Sequence, residues 1–204
     1  MTIRGRKFPI RRGAGAGLGF SAGAVFNLIA GVSGAQFLFA RGFNQIWFAA
    51  LAAAGGAIEG SLGGFALDGI GAACGFAIAF ALRPAIYNGA AAFVFALGAW
   101  LAPNHPDSAE FIRGAAGGAI TLGLAGALGA AFVYRRTRAA LAGLWTFGVG
   151  GIINGVVASR LIRSIIRGAT SPNGWSATVL GLAGPAIAMF LAGALFALSL
   201  VKED

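Results

Sequence analysis

The sequence predicts an all-α integral membrane protein: six transmembrane helices in two triplets of inverted topology, packed through glycine and alanine. Three observations predict it. Of 204 residues, 58% are hydrophobic and only 10% charged, with a mean hydropathy of +0.82, whereas soluble proteins carry about 25% charged residues. Charge-free runs such as Ala14 to Ala40 exceed the roughly 20 apolar residues that cross a bilayer core. Finally, the chain matches itself at a constant offset. A membrane β-barrel would need strict alternation of polar and apolar residues, which is absent. The 35 glycines would each weaken a soluble helix by about 1 kcal/mol, but in lipid they form contact surface between close helices.

The stretch around which the chain is organised is Gly55-Gly56-Ala57-Ile58-Glu59-Gly60-Ser61-Leu62-Gly63-Gly64, a small-residue backbone with one carboxylate. Its echo, Gly150-Gly151-Ile152-Ile153-Asn154-Gly155, carries asparagine where the first copy has glutamate. Gly56, Gly60 and Gly64 share one helical face, as do Gly151 and Gly155, and such faces let helices approach closely. The same offset of 95 residues pairs Gly23 with Gly118, Phe37 with Phe132 and Arg41 with Arg136. After a small insertion, at offset 101, Pro84-Ala85-Ile86 matches Pro185-Ala186-Ile187 and Phe95-Ala96-Leu97 matches Phe196-Ala197-Leu198. These Phe, Arg and Pro matches argue for duplication more strongly than the common glycines do.

Taken in order, residues 1–13 form a basic arm. The apolar run after it is too long for a signal-peptide core and recurs inside the chain, so it is read as the first spanning helix, 14–39. A second helix runs from Asn44 to Leu67, and Asp68-Gly69 makes a tight turn. A third, from Gly71 to Leu101, contains Arg83-Pro84, where proline predicts a kink. Together, residues 14–102 are the first repeat. The polar segment 103–113, with two prolines and two acids, connects it to the second repeat, 114–201. There the helices are 114–134, 139–159 and Trp175 to Val201, with Arg135-Arg136-Thr137-Arg138 between the first two. Ser171-Pro172-Asn173-Gly174 lies before the last, and 202–204 is a charged tail.

A net charge of +9 would suit nucleic acid, but the cationic residues flank the apolar runs, as the positive-inside rule predicts for a partner that is the lipid bilayer. Three spans per triplet invert the second copy relative to the first. The charge distribution favours a cytoplasmic N-terminus, with Arg160, Arg163 and Arg167 on the disfavoured side, and the expected location is a bacterial cytoplasmic membrane. A chain break at Arg83 would instead give seven spans and remove the inversion. Cys74 and His105 are the single cysteine and the single histidine, which leaves no material for a multi-histidine metal site, and no cofactor is expected. The glycines between Gly13 and Gly19 lack the strand and the Gly-Lys-Ser/Thr of a nucleotide loop.

Few residues could carry chemistry. Glu59 is foremost, because an acid within a membrane helix is a functional candidate able to bind a proton or cation; the competing reading is a paired carboxyl that fixes packing. Asn154 is its uncharged counterpart. Arg83 could pair with Glu59 or Asp68 or attract an anion, or it could snorkel from a helix end. Asn27 and Asn88 would line a polar path or bond helices together, and Pro84 and Pro185 would kink equivalent helices. With no nucleophile–base set, the chain is not expected to be an enzyme.

Two functions fit. One is a small channel or transporter for an ion or small solute, its site between the halves near the midplane. The other is a non-catalytic subunit of a membrane complex or homo-oligomer. The first needs Glu59 and Asn154 facing a shared interior; the second would have Glu59 sealed by Arg83 and glycine faces turned outward.

Overall fold

Backbone amides in lipid must be satisfied within the chain, which leaves helices as the economical answer. In the computed structural model, residues 8–166 and 174–201 are described, and among them there is no strand. The elements are α1 Phe8–Ala40, α2 Gln45–Ala81, α3 Arg83–Leu101, α4 Pro106–Tyr134, α5 Thr137–Ile166 and α6 Gly174–Val201. Among the described residues, five stretches are long and apolar enough to cross a membrane: Arg11–Ala40, Gln45–Leu101, Pro106–Tyr134, Thr137–Val157 and Gly181–Leu200.

The second of these, 57 residues long, is not one rod. The backbone leaves helical geometry at Asp68 (φ −154°, ψ 29°) and Gly69 (φ 75°, ψ −156°). Gly69 occupies a region that is essentially closed to other residues. The arms on either side then run antiparallel. A Cβ on Gly64 would collide with the carbonyl of Ala72, one on Gly60 with that of Phe76, and one on Gly56 with that of Phe80. The glycine face read from the sequence is therefore the seam of a helical hairpin, and it is consumed within the chain. Its echo uses a different neighbour: Gly151 and Gly155 of α5 press on Gly118 and Gly114 of α4.

Several boundaries differ from expectation. The segment 103–113 is mostly helix, because Pro106 fits the first turn, where its missing N–H is no loss. Asp107 beside it complements the helix dipole. The third helix is interrupted at Leu82, and α3 starts anew at Arg83 with Pro84 in its first turn, so Pro84 opens a helix where a mid-helix kink was expected. Pro185 does lie inside α6 and is fully buried. Helix α5 runs on to Ile166, past the expected end at 159. Arg167 and Ser171 to Asn173 lie outside the described residues, as do 1–7 and the tail 202–204.

Helices α1, α2, α4, α5 and α6 close into a ring, each packed on the next, while α3 leaves that ring along α4. The centre is aromatic. Phe20 from α1, Phe76 and Phe80 from α2, Phe147 from α5 and Phe196 from α6 are all fully buried. Their packed rings have centroids 4.8 to 6.2 Å apart. Edge-to-face pairs such as Phe20–Phe147 suit the aromatic quadrupole. Outside, large apolar side chains such as Phe39, Ile70, Trp100 and Trp145 are exposed, as expected of a surface that meets lipid.

Candidate functional site

Helix α2 carries two glycine stripes, and the residue between them is Glu59. Gly56, Gly60 and Gly64 face the second arm. One position round the helix, Gly55, Glu59 and Gly63 face α1, where Gly55 lies against the Asn27 side chain and Gly63 against Phe20. From the other side, a Cβ on Gly23 would stand 2.5 Å from the Glu59 Cα. The two backbones thus meet at Glu59. At 1.5 Å rise per residue, Glu59 lies about 13 Å along the first arm from the Asp68 turn.

The Glu59 side chain is 1% exposed. Its Oε2 accepts from Asn27 Nδ2 at 2.9 Å and from the Arg83 guanidinium at 2.5 Å. Its other oxygen, Oε1, is equally buried and has no hydrogen-bond partner. Both donors thus converge on one oxygen and leave the second bare, an arrangement that costs free energy in a low-dielectric interior. Arg83 is 19% exposed and passes 5.8 Å from the centroid of the Phe80 ring.

Arg83 stands where the hairpin opens. The arms of α2 touch from Gly64 and Ala72 as far as Gly56 and Phe80. Beyond Leu82 the chain packs on α4 instead, with Tyr87 against Gly117 and Gly98 against Arg113. Arg83 therefore stands at the open end of the touching arms, Glu59 lies between Gly56 and Gly60 within them, and the Phe80 ring of the aromatic core lies beside the guanidinium.

The sequence nominated Glu59, Arg83 and Asn27 separately, and the structure brings them together. No hydrogen bond joins Asn154 to Glu59, although Asn154 shares with Phe147, seven residues earlier, the face of α5 that turns toward the core. It is half-buried, and Asn88 is exposed on α3. The polar cluster thus belongs to the first triplet, and phenylalanine fills the centre where a polar site shared between the halves was expected. Among the described residues, no cluster of His, Cys, Asp and Glu could hold a metal ion.

A second charged cluster escaped the sequence reading. Arg12 of α1 pairs with Asp68 at 3.1 Å, and its Nε donates to the Leu67 carbonyl at 3.1 Å. The buried Tyr134 hydroxyl lies beside them. This ties the start of α1, the α2 turn and the end of α4 together at one end of the bundle. Its only signal in the sequence was an acid in the turn and an arginine before the first apolar run, too far apart to be paired by spacing. Comparison with known proteins gives no family model, no curated protein and no solved structure that matches this chain, so the geometry of the Glu59–Arg83–Asn27 cluster is what a functional reading must rest on.

Proposed function

We propose that this protein is a small membrane channel or transporter of six spans, with its cytoplasmic end at Arg12 and Asp68 and its polar site at Glu59, Arg83 and Asn27. The observation that carries this reading is the Glu59 carboxylate: 1% exposed, within an apolar bundle, with one oxygen ion-paired and the other bare. Intramembrane ionisable groups are expensive and mark ion or substrate pathways. The turn at Asp68-Gly69 supports six spans, because it divides the 57-residue stretch into two antiparallel passes. The duplication has partial support in packing: Gly19 and Gly23 of α1 lie on α2, and their counterparts Gly114 and Gly118 of α4 lie on α5, there against Gly151 and Gly155.

The test is flux in liposomes containing the purified protein, wild type beside Glu59→Gln. Proton or ion flux that is lost or uncoupled in a folded variant supports the reading.

The rival reading, an assembly subunit, has one observation in its favour: Arg83 of the same chain neutralises Glu59. Against it, both glycine seams are filled from within the chain. A wild type that moves no ion or small solute but is recovered with a stable partner would establish it.

A further inference from the structure

We infer that Arg83 is the binding group for a small monovalent anion, which takes the place of the Glu59 carboxylate when Glu59 accepts a proton, so that one proton and one anion move together. This rests on the reading of the cluster as a transport site, and it names what that site carries.

The first argument concerns which charges can be added. Oε2 already accepts from Arg83 and Asn27. Oε1 is buried without a partner, so a proton can attach there without displacing any existing bond. A metal cation has no comparable seat. It needs about six oxygen ligands, whereas Asn27 turns its nitrogen to Glu59 and its oxygen to Gly55. It would also stand beside the like charge of Arg83.

The second argument is charge balance. At present Glu59 and Arg83 sum to zero. Protonation alone would leave a guanidinium without a counter-charge in a low-dielectric setting, and anion entry alone would leave an excess negative charge; both are heavily penalised. Joint loading keeps the sum at zero. The proton comes from solution to Oε1, the anion comes from the same side to the guanidinium, no covalent bond other than O–H forms, and both leave together. Arg83 is the more accessible member, being 19% exposed against 1% for Glu59, and it stands at the open end of the touching arms.

Among the described side chains, Arg83 is the charged group bonded to the carboxylate. Arg83 is the charged side chain facing the carboxylate from α3, while α1 supplies the uncharged Asn27. The other acid of α2, Asp68, is nine residues away and paired with Arg12. Helix α4 meets the hairpin through Gly129 on Phe76 and through Val133 on Gly75. The described part of α6 contains no charged residue.

The experiment uses proteoliposomes with the voltage held at zero by potassium and valinomycin, an acid exterior, and either chloride or nitrate as the probe, with gluconate as the large control anion. The expected result is acid-driven uptake of chloride or nitrate, matched one to one by internal acidification and absent in gluconate. Glu59→Gln is expected to retain anion movement while losing its pH dependence about tenfold or more, because the guanidinium stays free. Arg83→Gln is expected to lose anion movement. Should Arg83→Gln fail to fold, the double variant Glu59→Gln/Arg83→Gln, which buries no charge, must still be inactive. Proton flux that persists in gluconate would overturn the anion inference and leave the transport reading standing. Anion movement down its own gradient in the wild type, without acidification, would likewise overturn the coupling. Absence of any flux, proton included, would overturn both.

Discussion

Arg83 reaches back 24 residues along the chain to hydrogen-bond Glu59 across the mouth of a helical hairpin. The pair joins the start of α3 to the first arm of α2, and Asn27 adds α1 to the same oxygen. One carboxylate oxygen thus holds three segments in register, and that joint function makes its energetics measurable.

Removing one partner strands the other. Arg83→Ala leaves Glu59 ionised without its counter-charge, and a broken buried pair typically costs about 3–5 kcal/mol. The partial exposure of Arg83 places the expected loss toward the lower figure. Glu59→Gln/Arg83→Ala should recover much of it. A double-mutant cycle by denaturant titration in mixed micelles checks this; independent, additive losses would show that the two charges do not depend on each other.

The glycine seam predicts a contrast between positions. Gly60→Ala sets a Cβ against the backbone carbonyl of Phe76, which cannot move without opening the hairpin, so a loss of about 3 kcal/mol is expected, at the upper end of overpacking costs. Gly89→Ala on α3 meets nothing within 4 Å and is expected to be neutral or to stabilise by up to about 1 kcal/mol through helix propensity. Thermal unfolding of the two variants side by side decides it. Equal effects would mean that the seam does not depend on close approach.

The turn itself is testable. Gly69→Ala forces a side chain into the backbone region at φ 75°, ψ −156° and should cost about 1–3 kcal/mol. Asp68→Asn, half exposed where it meets Arg12, should cost no more than about 1 kcal/mol, as exposed ion pairs do. Retained stability in the glycine variant, read by thermal unfolding, would argue for a different chain reversal.

Topology has a direct assay. In a Cys74→Ser background, single cysteines at Asn104 and Arg136 bracket α4 and should react with an impermeant maleimide from opposite sides of intact vesicles. A cysteine at Phe43 should behave like the one at Asn104. Labelling of Asn104 and Arg136 from one side would exclude a spanning α4 and with it the six-span arrangement.

Much of the architecture was legible in the residues. Charge-free runs gave helices, and Asp68-Gly69 gave the turn because only glycine tolerates that backbone. Gly56, Gly60 and Gly64 announced a close contact through their spacing. Glu59 stood out because an acid in such a run has few innocent explanations. Legibility ended at choosing neighbours. The sequence showed the stripe of Gly56 but could not say that it meets the second arm of α2, while Gly151 and Gly155 meet α4.

The sequence by itself thus determined the helical membrane class, the turn at Asp68-Gly69 and the identity of the few polar groups within apolar runs. Those depend on local chemistry: hydrophobic length, backbone freedom at one glycine, and the cost of a charge in lipid. Only the tertiary structure decided that Glu59 pairs with Arg83 and Asn27, that Asn154 makes no bond to it, that Arg12 closes on Asp68, and that five phenylalanines fill the centre. The physical reason is that these helices are apolar all round. In a soluble protein, water marks the outward face of each helix; in lipid both faces are apolar, so periodicity cannot assign partners. Pairing is then settled by which small residues allow backbones to approach and which few polar atoms find each other, and both depend on the whole bundle.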